Sequence, residues 1–217
     1  MFCFTFENHV YLSIAKNAST SFDHFFTDNG WKKQPLLTTE INGNTKIFGL
    51  IADPVARHTK GLVTYLTITN QTDLLDDPVY QSMLLSSTFD THTYSITSMI
   101  PHLVDRVHWI PLDFEGEIDG KKYNSHQAIN LYFLREGLGL TYTAAMRKDT
   151  TLNNRATDMD YFLRDKVDAL KTQYHAQYSN LTSNILENDI KMYRAAIQWY
   201  TDHIGYVHNA GRQLDFW

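Results

Sequence analysis

A lysine followed by small and hydroxyl-bearing residues is a side-chain set suited to gripping a phosphate, and residues 15–21 read Ala15-Lys16-Asn17-Ala18-Ser19-Thr20-Ser21. Lys16 carries a full positive charge, Ser19, Thr20 and Ser21 offer hydroxyl donors, and Ala18 and Ser19 are small enough for an anion to approach the backbone. If the segment opens a helix, the unpaired N–H groups of the first turn and the positive end of the macrodipole favour the same anion. The pattern is not the glycine-rich G-x-x-x-x-G-K-[ST] loop, because it has no glycine and its lysine precedes the small residues. A group of capping residues opening an ordinary amphipathic helix has the same composition, so the heptapeptide alone leaves both readings open.

The flanking residues supply the elements that must position it. Val10-Tyr-Leu-Ser-Ile14 reads as a strand, and Phe22, Phe25 and Phe26 share one face of a helix that Asn29-Gly30 stops. A second unit repeats the pattern. Lys46–Ile51 reads as a buried strand, Asp53 as an N-cap, Pro54 as the first helical residue, and the helix continues to about Thr69. Short helices are expected over Pro78–Ser86 and Ser95–Ile100, a strand over Arg106–Leu112, a turn-rich loop over Glu115–Lys122 and a helix over Ser125–Leu138. Apolar spacing then places helices over Asp158–Lys171 and Asn184–His203. The expected fold is α/β: a P-loop-like central parallel sheet flanked by helices, with a helical C-terminal third. No repeat or Pro/Gly linker interrupts residues 1–217, so one domain is expected.

The heptapeptide resembles the 5′-phosphosulfate loop of the PAPS-dependent sulfotransferases, P-K-x-[AG]-[SC]-T-[ST], with Ala15 at the usual proline. The stretch Ala52-Asp53-Pro54-Val55-Ala56-Arg57-His58-Thr59-Lys60 is similar to the family's R-D-P-x-x-R-x-x-S element, matching at Asp53, Pro54 and Arg57. It departs at Ala52, where the family places a 3′-phosphate-binding arginine, and at Lys60, where it places a serine. Asp90-Thr91-His92 with Val107–Ile110, and residues 185–206, resemble the D-x-H element and closing helix of the carbohydrate-type members. The resemblance implies PAPS as co-substrate, no metal, and a small-molecule or carbohydrate acceptor. It places Lys16, Asn17, Ala18, Ser19, Thr20 and Ser21 around the donor, and Arg57 or Lys60 at its 3′-phosphate. Arg147 and Lys148 are further cations for that phosphate, and solvated helix positions are the plainer reading of Arg57 and Lys60.

The same resemblance gives Lys16 the task of stabilising charge on the leaving nucleotide oxygen. The acceptor must also lose a proton. Glu40, the one carboxylate between Gly30 and Ile51, where no histidine stands, is the first candidate base, and His92 is the second; each also reads as an ordinary solvated or structural side chain. A small-molecule kinase on a related fold, and a degenerate nucleotide-binding protein without activity, are the alternatives, the latter because of Ala52.

Composition narrows the partners. A formal charge of −5 argues against general affinity for nucleic acid, so phosphate recognition must be local. Cys3 is the single cysteine, which excludes an internal disulfide and a cysteine-rich zinc site. The ten histidines are scattered without metal-ligand spacing, so no metal is expected. No run of eighteen apolar residues and no basic–apolar leader is present, so a cytoplasmic protein without a membrane span is expected. Aromatic residues make up 13% of the chain, a content that suits amphipathic pocket walls.

Overall fold

The structure is a computed structural model that describes residues 1–118, 121–143 and 158–209. In chain order the elements are β1 (Phe2–Phe6), β2 (His9–Ser13), α1 (Ser19–Asp28), β3 (Lys32–Pro35), β4 (Lys46–Ile51), α2 (Pro54–Thr69), α3 (Pro78–Ser86) and the single-turn α4 (Ile96–Met99). They are followed by β5 (Val107–Pro111), β6 (Glu115–Ile118), β7 (Lys121–Asn124), α5 (Ser125–Glu136), α6 (Asp158–Gln173), α7 (His175–Asn184) and α8 (Glu187–Asn209). These elements form two compact units, the first from residues 1–52, 106–143 and 192–209, the second from residues 53–105 and 158–191. Each unit draws on separated stretches of chain, so no linker in the sequence marks the boundary.

The first unit holds a five-stranded sheet of order β3-β1-β2-β4-β5. The sheet is mixed, which corrects the expectation of a parallel one. β2, β4 and β5 run parallel, with His9 opposite Lys46 and Ile47 opposite Val107. β1 is antiparallel to both β2 and β3. The cause is local: Glu7 adopts φ 51° and turns the chain within two residues, and a hairpin this tight can only return antiparallel. A second hairpin, β6–β7, replaces the loop expected over Glu115–Lys122.

Aromatic residues fill the core of this unit. Tyr11 on β2 meets Phe26 on α1 with ring centroids 4.5 Å apart, and Phe48 on β4 meets Tyr132 on α5 at 4.7 Å. Phe22, Phe25, Phe26, Trp31 and Phe133 complete the cluster. Buried rings of this kind each remove roughly 150–250 Å² from water, so a single layer of them holds α1 and α5 to the sheet. Much of the aromatic content therefore serves the core.

The second unit packs α2, α3 and α6 through Leu62, Leu66, Leu84, Leu85, Leu163 and Val167. Asp53 caps α2 by accepting the Ala56 N–H (2.8 Å), and Asp77 caps α3 by accepting the Val79 N–H (2.8 Å). Phe162 on α6 is 51% exposed and lies beneath the Lys166 ammonium. α2 runs so close to the segment after α3 that a Cβ on Gly61 would stand 2.2 Å from the His92 carbonyl oxygen. Gly61→Ala is therefore expected to lower stability by about 1–3 kcal/mol through overpacking against backbone. Urea unfolding measures this, and an unchanged midpoint would show that the helix shifts without cost.

Candidate functional site

In the first unit β2 ends at Ser13, and the chain turns at once, the Asn17 N–H donating to the Ile14 carbonyl (3.1 Å). Lys16 (φ 64°) and Ala18 (φ 55°) both take the left-handed conformation, which costs an L-residue about 1–2 kcal/mol. Left-handed residues within such a turn swing successive N–H groups toward a common concavity, an arrangement that binds anions. α1 starts at Ser19, with the Phe22 N–H donating to the Ala18 carbonyl (3.2 Å). Its N-cap, Ala18, has no side-chain oxygen to offer the first-turn N–H groups, and no acidic residue sits in that turn. By contrast α2, α3, α4 and α5 are capped by Asp53, Asp77, Ser95 and Asn124.

Asn17 fixes this loop to the sheet. Its side chain is 1% exposed and its Oδ1 accepts the N–H of Ala52, at the end of neighbouring β4 (3.1 Å). The other half of the amide, Nδ2, is buried without a hydrogen-bond partner among the described residues. Lys16, Ser19 and Ser21 are half-buried and Ala18 is exposed; Thr20 lies in the first turn of α1. The sequence-predicted loop residues are thus brought together at one strand-to-helix junction.

A narrow recess of about 20 Å³ opens beside that turn. Ala18 and Ser21 line it from α1, Ser125 and His126 from the first turn of α5, and Tyr142 from the segment that follows α5. Two helix N-termini therefore meet at one cavity. The α5 end is held by a capping box: Asn124 Oδ1 accepts the His126 N–H (2.9 Å) and Gln127 Oε1 accepts the Asn124 N–H (2.8 Å). Tyr142 is clamped by Asn130, whose Nδ2 donates to the Tyr142 carbonyl (2.9 Å) and whose Oδ1 accepts the Tyr142 N–H (2.7 Å). Sequence reading missed Ser125, His126 and Tyr142. The Asn124-x-x-Gln127 box was a visible signal for a helix opening, and hence for which residues stand at it.

Glu40 is an exposed residue of the same unit, in the loop before β4. The remaining expected site residues belong to the second unit. Lys60 is exposed on α2, whereas Arg57 is 1% exposed and its Nη1 donates to the Tyr94 carbonyl (2.7 Å). Burial lowers the Arg57 pKa, opposed by the charge of Asp189. Asp189 is itself fully buried, accepting N–H groups from Ile96 (2.6 Å) and Thr97 (3.0 Å). Burial holds its carboxyl above the usual carboxylate range, against those hydrogen bonds and Arg57. His92 and Asp90 form a dyad, His92 Nδ1 lying 2.8 Å from Asp90 Oδ2, with each side chain about one-third exposed. A carboxylate in that position keeps the proton on Nδ1 and leaves Nε2 as the basic nitrogen. Arg147 and Lys148 lie outside the described residues.

Among the described residues no group of three or more His, Cys, Asp or Glu side chains is arranged to hold a metal ion. Nor, among them, is any helix long and apolar enough to cross a membrane. No protein-family model, curated protein or solved structure matches the chain.

Proposed function

We propose that the Lys16–Ser21 loop holds the 5′-phosphosulfate of PAPS, and that the protein moves its sulfuryl group to a hydroxyl or amine of a small-molecule or carbohydrate acceptor. The observation that carries the reading is an α1 N-terminus without a side-chain cap, entered through two left-handed non-glycine residues with Lys16 at the turn. Strain at two such positions persists only where surrounding structure imposes it, and such strain clusters at ligand clamps. The buried Asn17 Nδ2 adds support as a second unrelieved cost at the same loop, an unmet donor being worth about 1–3 kcal/mol. Lys16 would meet charge developing on the bridging oxygen of the leaving bisphosphate. A base of the same unit would take the acceptor's proton.

A second reading is favoured by one observation. Ala52 stands where the family has its phosphate-binding arginine, and Arg57 is engaged with Tyr94 in the interior of the second unit. That combination suits a protein that binds a 5′-phosphate without requiring a 3′-phosphate. Thermal shift separates the readings. Adenosine 3′,5′-bisphosphate at a hundredfold excess over its Kd is expected to raise Tm by about 5–10 °C without Mg²⁺. AMP giving the same shift at equal concentration supports the second reading. A shift with ATP and Mg²⁺ alone supports a kinase, and no shift with any nucleotide removes the proposal.

A further inference from the structure

The recess beside Ser21 has room for one small group and not for a nucleotide. Its volume of about 20 Å³ exceeds the roughly 10–15 Å³ that a single water needs, which makes it the size of one acceptor oxygen. It adjoins the first turn of α1, where the proposed function places the phosphosulfate. His126 is the imidazole among its described lining residues, and Tyr142 is the other titratable side chain there. Glu40, of the same unit, is not among them. Both ends of the wall are rigid: the capping box fixes the backbone of His126, and Tyr142 is stacked on Phe22 at 4.5 Å and clamped by Asn130. The His126 and Tyr142 rings lie 5.5 Å apart.

We infer that this recess is the nucleophile subsite and that His126 is a catalytic base there, receiving the proton of an acceptor hydroxyl or of water. The inference rests on the proposed function. As the acceptor oxygen bonds to sulfur, its proton passes to an imidazole nitrogen of His126. The bond from sulfur to the bridging oxygen breaks, and its electron pair stays on the departing adenosine 3′,5′-bisphosphate. With an alcohol the product is a sulfate ester; with water it is inorganic sulfate. An imidazole lining the recess suits the task because proton transfer by a positioned side chain contributes about 10²–10⁴-fold.

Water makes the test independent of the acceptor's identity. Release of sulfate from PAPS is measured across pH 5–9 for the full chain and for His126→Gln and His126→Asn, beside calorimetric affinity for adenosine 3′,5′-bisphosphate. The wild type is expected to hydrolyse PAPS above the uncatalysed rate, with a limb that falls tenfold per pH unit on the acid side. At least one folded variant should lose about 100-fold and the acid limb, while its bisphosphate affinity stays within about twofold. Wild-type rate and pH limb in every folded variant would overturn the inference. So would bisphosphate binding by the wild type without hydrolysis, or loss of hydrolysis and affinity together. Failure of the wild type to bind the bisphosphate at all would instead remove the proposed function on which this subsite depends.

Discussion

Lys16→Ala is expected to slow sulfuryl transfer from PAPS by about 10²–10³-fold, the scale of losing one charged donor at a developing anion. Affinity for adenosine 3′,5′-bisphosphate should fall about 10- to 100-fold, since a hydrogen bond to a charged group is worth about 1.5–3 kcal/mol. The fold should be unaffected, because the core of this unit rests on the aromatic layer around Tyr11, Phe26 and Phe48, to which Lys16 does not belong. Lys16→Gly sharpens the test. Lys16 sits at φ 64°, and glycine takes that conformation without the Cβ penalty of about 1 kcal/mol. Lys16→Gly should therefore match or exceed the wild-type Tm while showing the same loss of turnover. Strain retained at a functional turn predicts this separation of stability from activity. Near-normal turnover in both variants would remove Lys16 from the chemistry.

Acid should destabilise both units, through a fully buried histidine in the second and a half-buried one in the first. His58, fully buried in the second unit, has its pKa lowered from 6.5 to about 4, first by burial and then by the charges of Arg57 and Lys171. Neither His58 ring nitrogen has a well-formed hydrogen bond among the described residues, and the nearby Ser87 backbone acts to raise the pKa against burial. Burial clearly dominates. His108, in the first unit, is likewise lowered to about 4 by burial and by Arg135 and His203, opposed by Glu136. Its Nε2 lies 3.0 Å from the Tyr200 hydroxyl. Both folded pKa values lie below the unfolded one, so the unfolded chain binds more protons between pH 6.5 and 4. The stability these neutral rings allow is complete above pH 6.5 and is lost as pH falls toward 4. Each accounts for about 3 kcal/mol over that window. Asp189, held high by burial, works in the opposite direction and offsets part of the loss in the second unit. Urea unfolding at pH 7.5 and pH 4.5 should show this loss, and His58→Asn should flatten the pH response of the second unit. A denaturation midpoint that stays level from pH 7.5 to 4.5 would contradict the assignment.

Elements bounded by strong local chemistry were legible from the residues. Lys46–Ile51 and Pro78–Ser86 appear with the expected ends, because an uninterrupted apolar run and an Asp-Pro cap each define an edge without help from the rest of the chain. β3, with the sequence Lys-Lys-Gln-Pro, has no alternation to read and exists only because β1 offers it hydrogen bonds. β6 and β7 are largely polar, and α7 keeps only Leu181 buried, so hydrophobic period says little about any of them. The last helix was expected to end at His203, but α8 continues through Gly205 to Asn209, one glycine in a long helix costing only about 1 kcal/mol.

The site divides in the same way. The Lys16–Ser21 loop was visible because its chemistry is contiguous. His126 was not, since it meets Ser21 only when α5 folds against α1, and a lone histidine in sequence carries no signal of what it faces. Arg57 shows the converse. In sequence it is a charged helix residue; in the fold it is interior, where its guanidinium donates to the Tyr94 carbonyl and feels the charge of Asp189, both remote in the chain.

The most direct test follows the backbone amides of a ¹⁵N-labelled full chain during titration with adenosine 3′,5′-bisphosphate in the presence of EDTA. Anion capture by the uncapped turn predicts large, saturable shifts at Asn17, Ala18, Ser19, Thr20 and Ser21, with the Asn17 side-chain amide moving alongside them, and a much weaker response in Lys16→Ala. Saturable binding that leaves those amides unmoved, or no binding at millimolar nucleotide, would contradict the account.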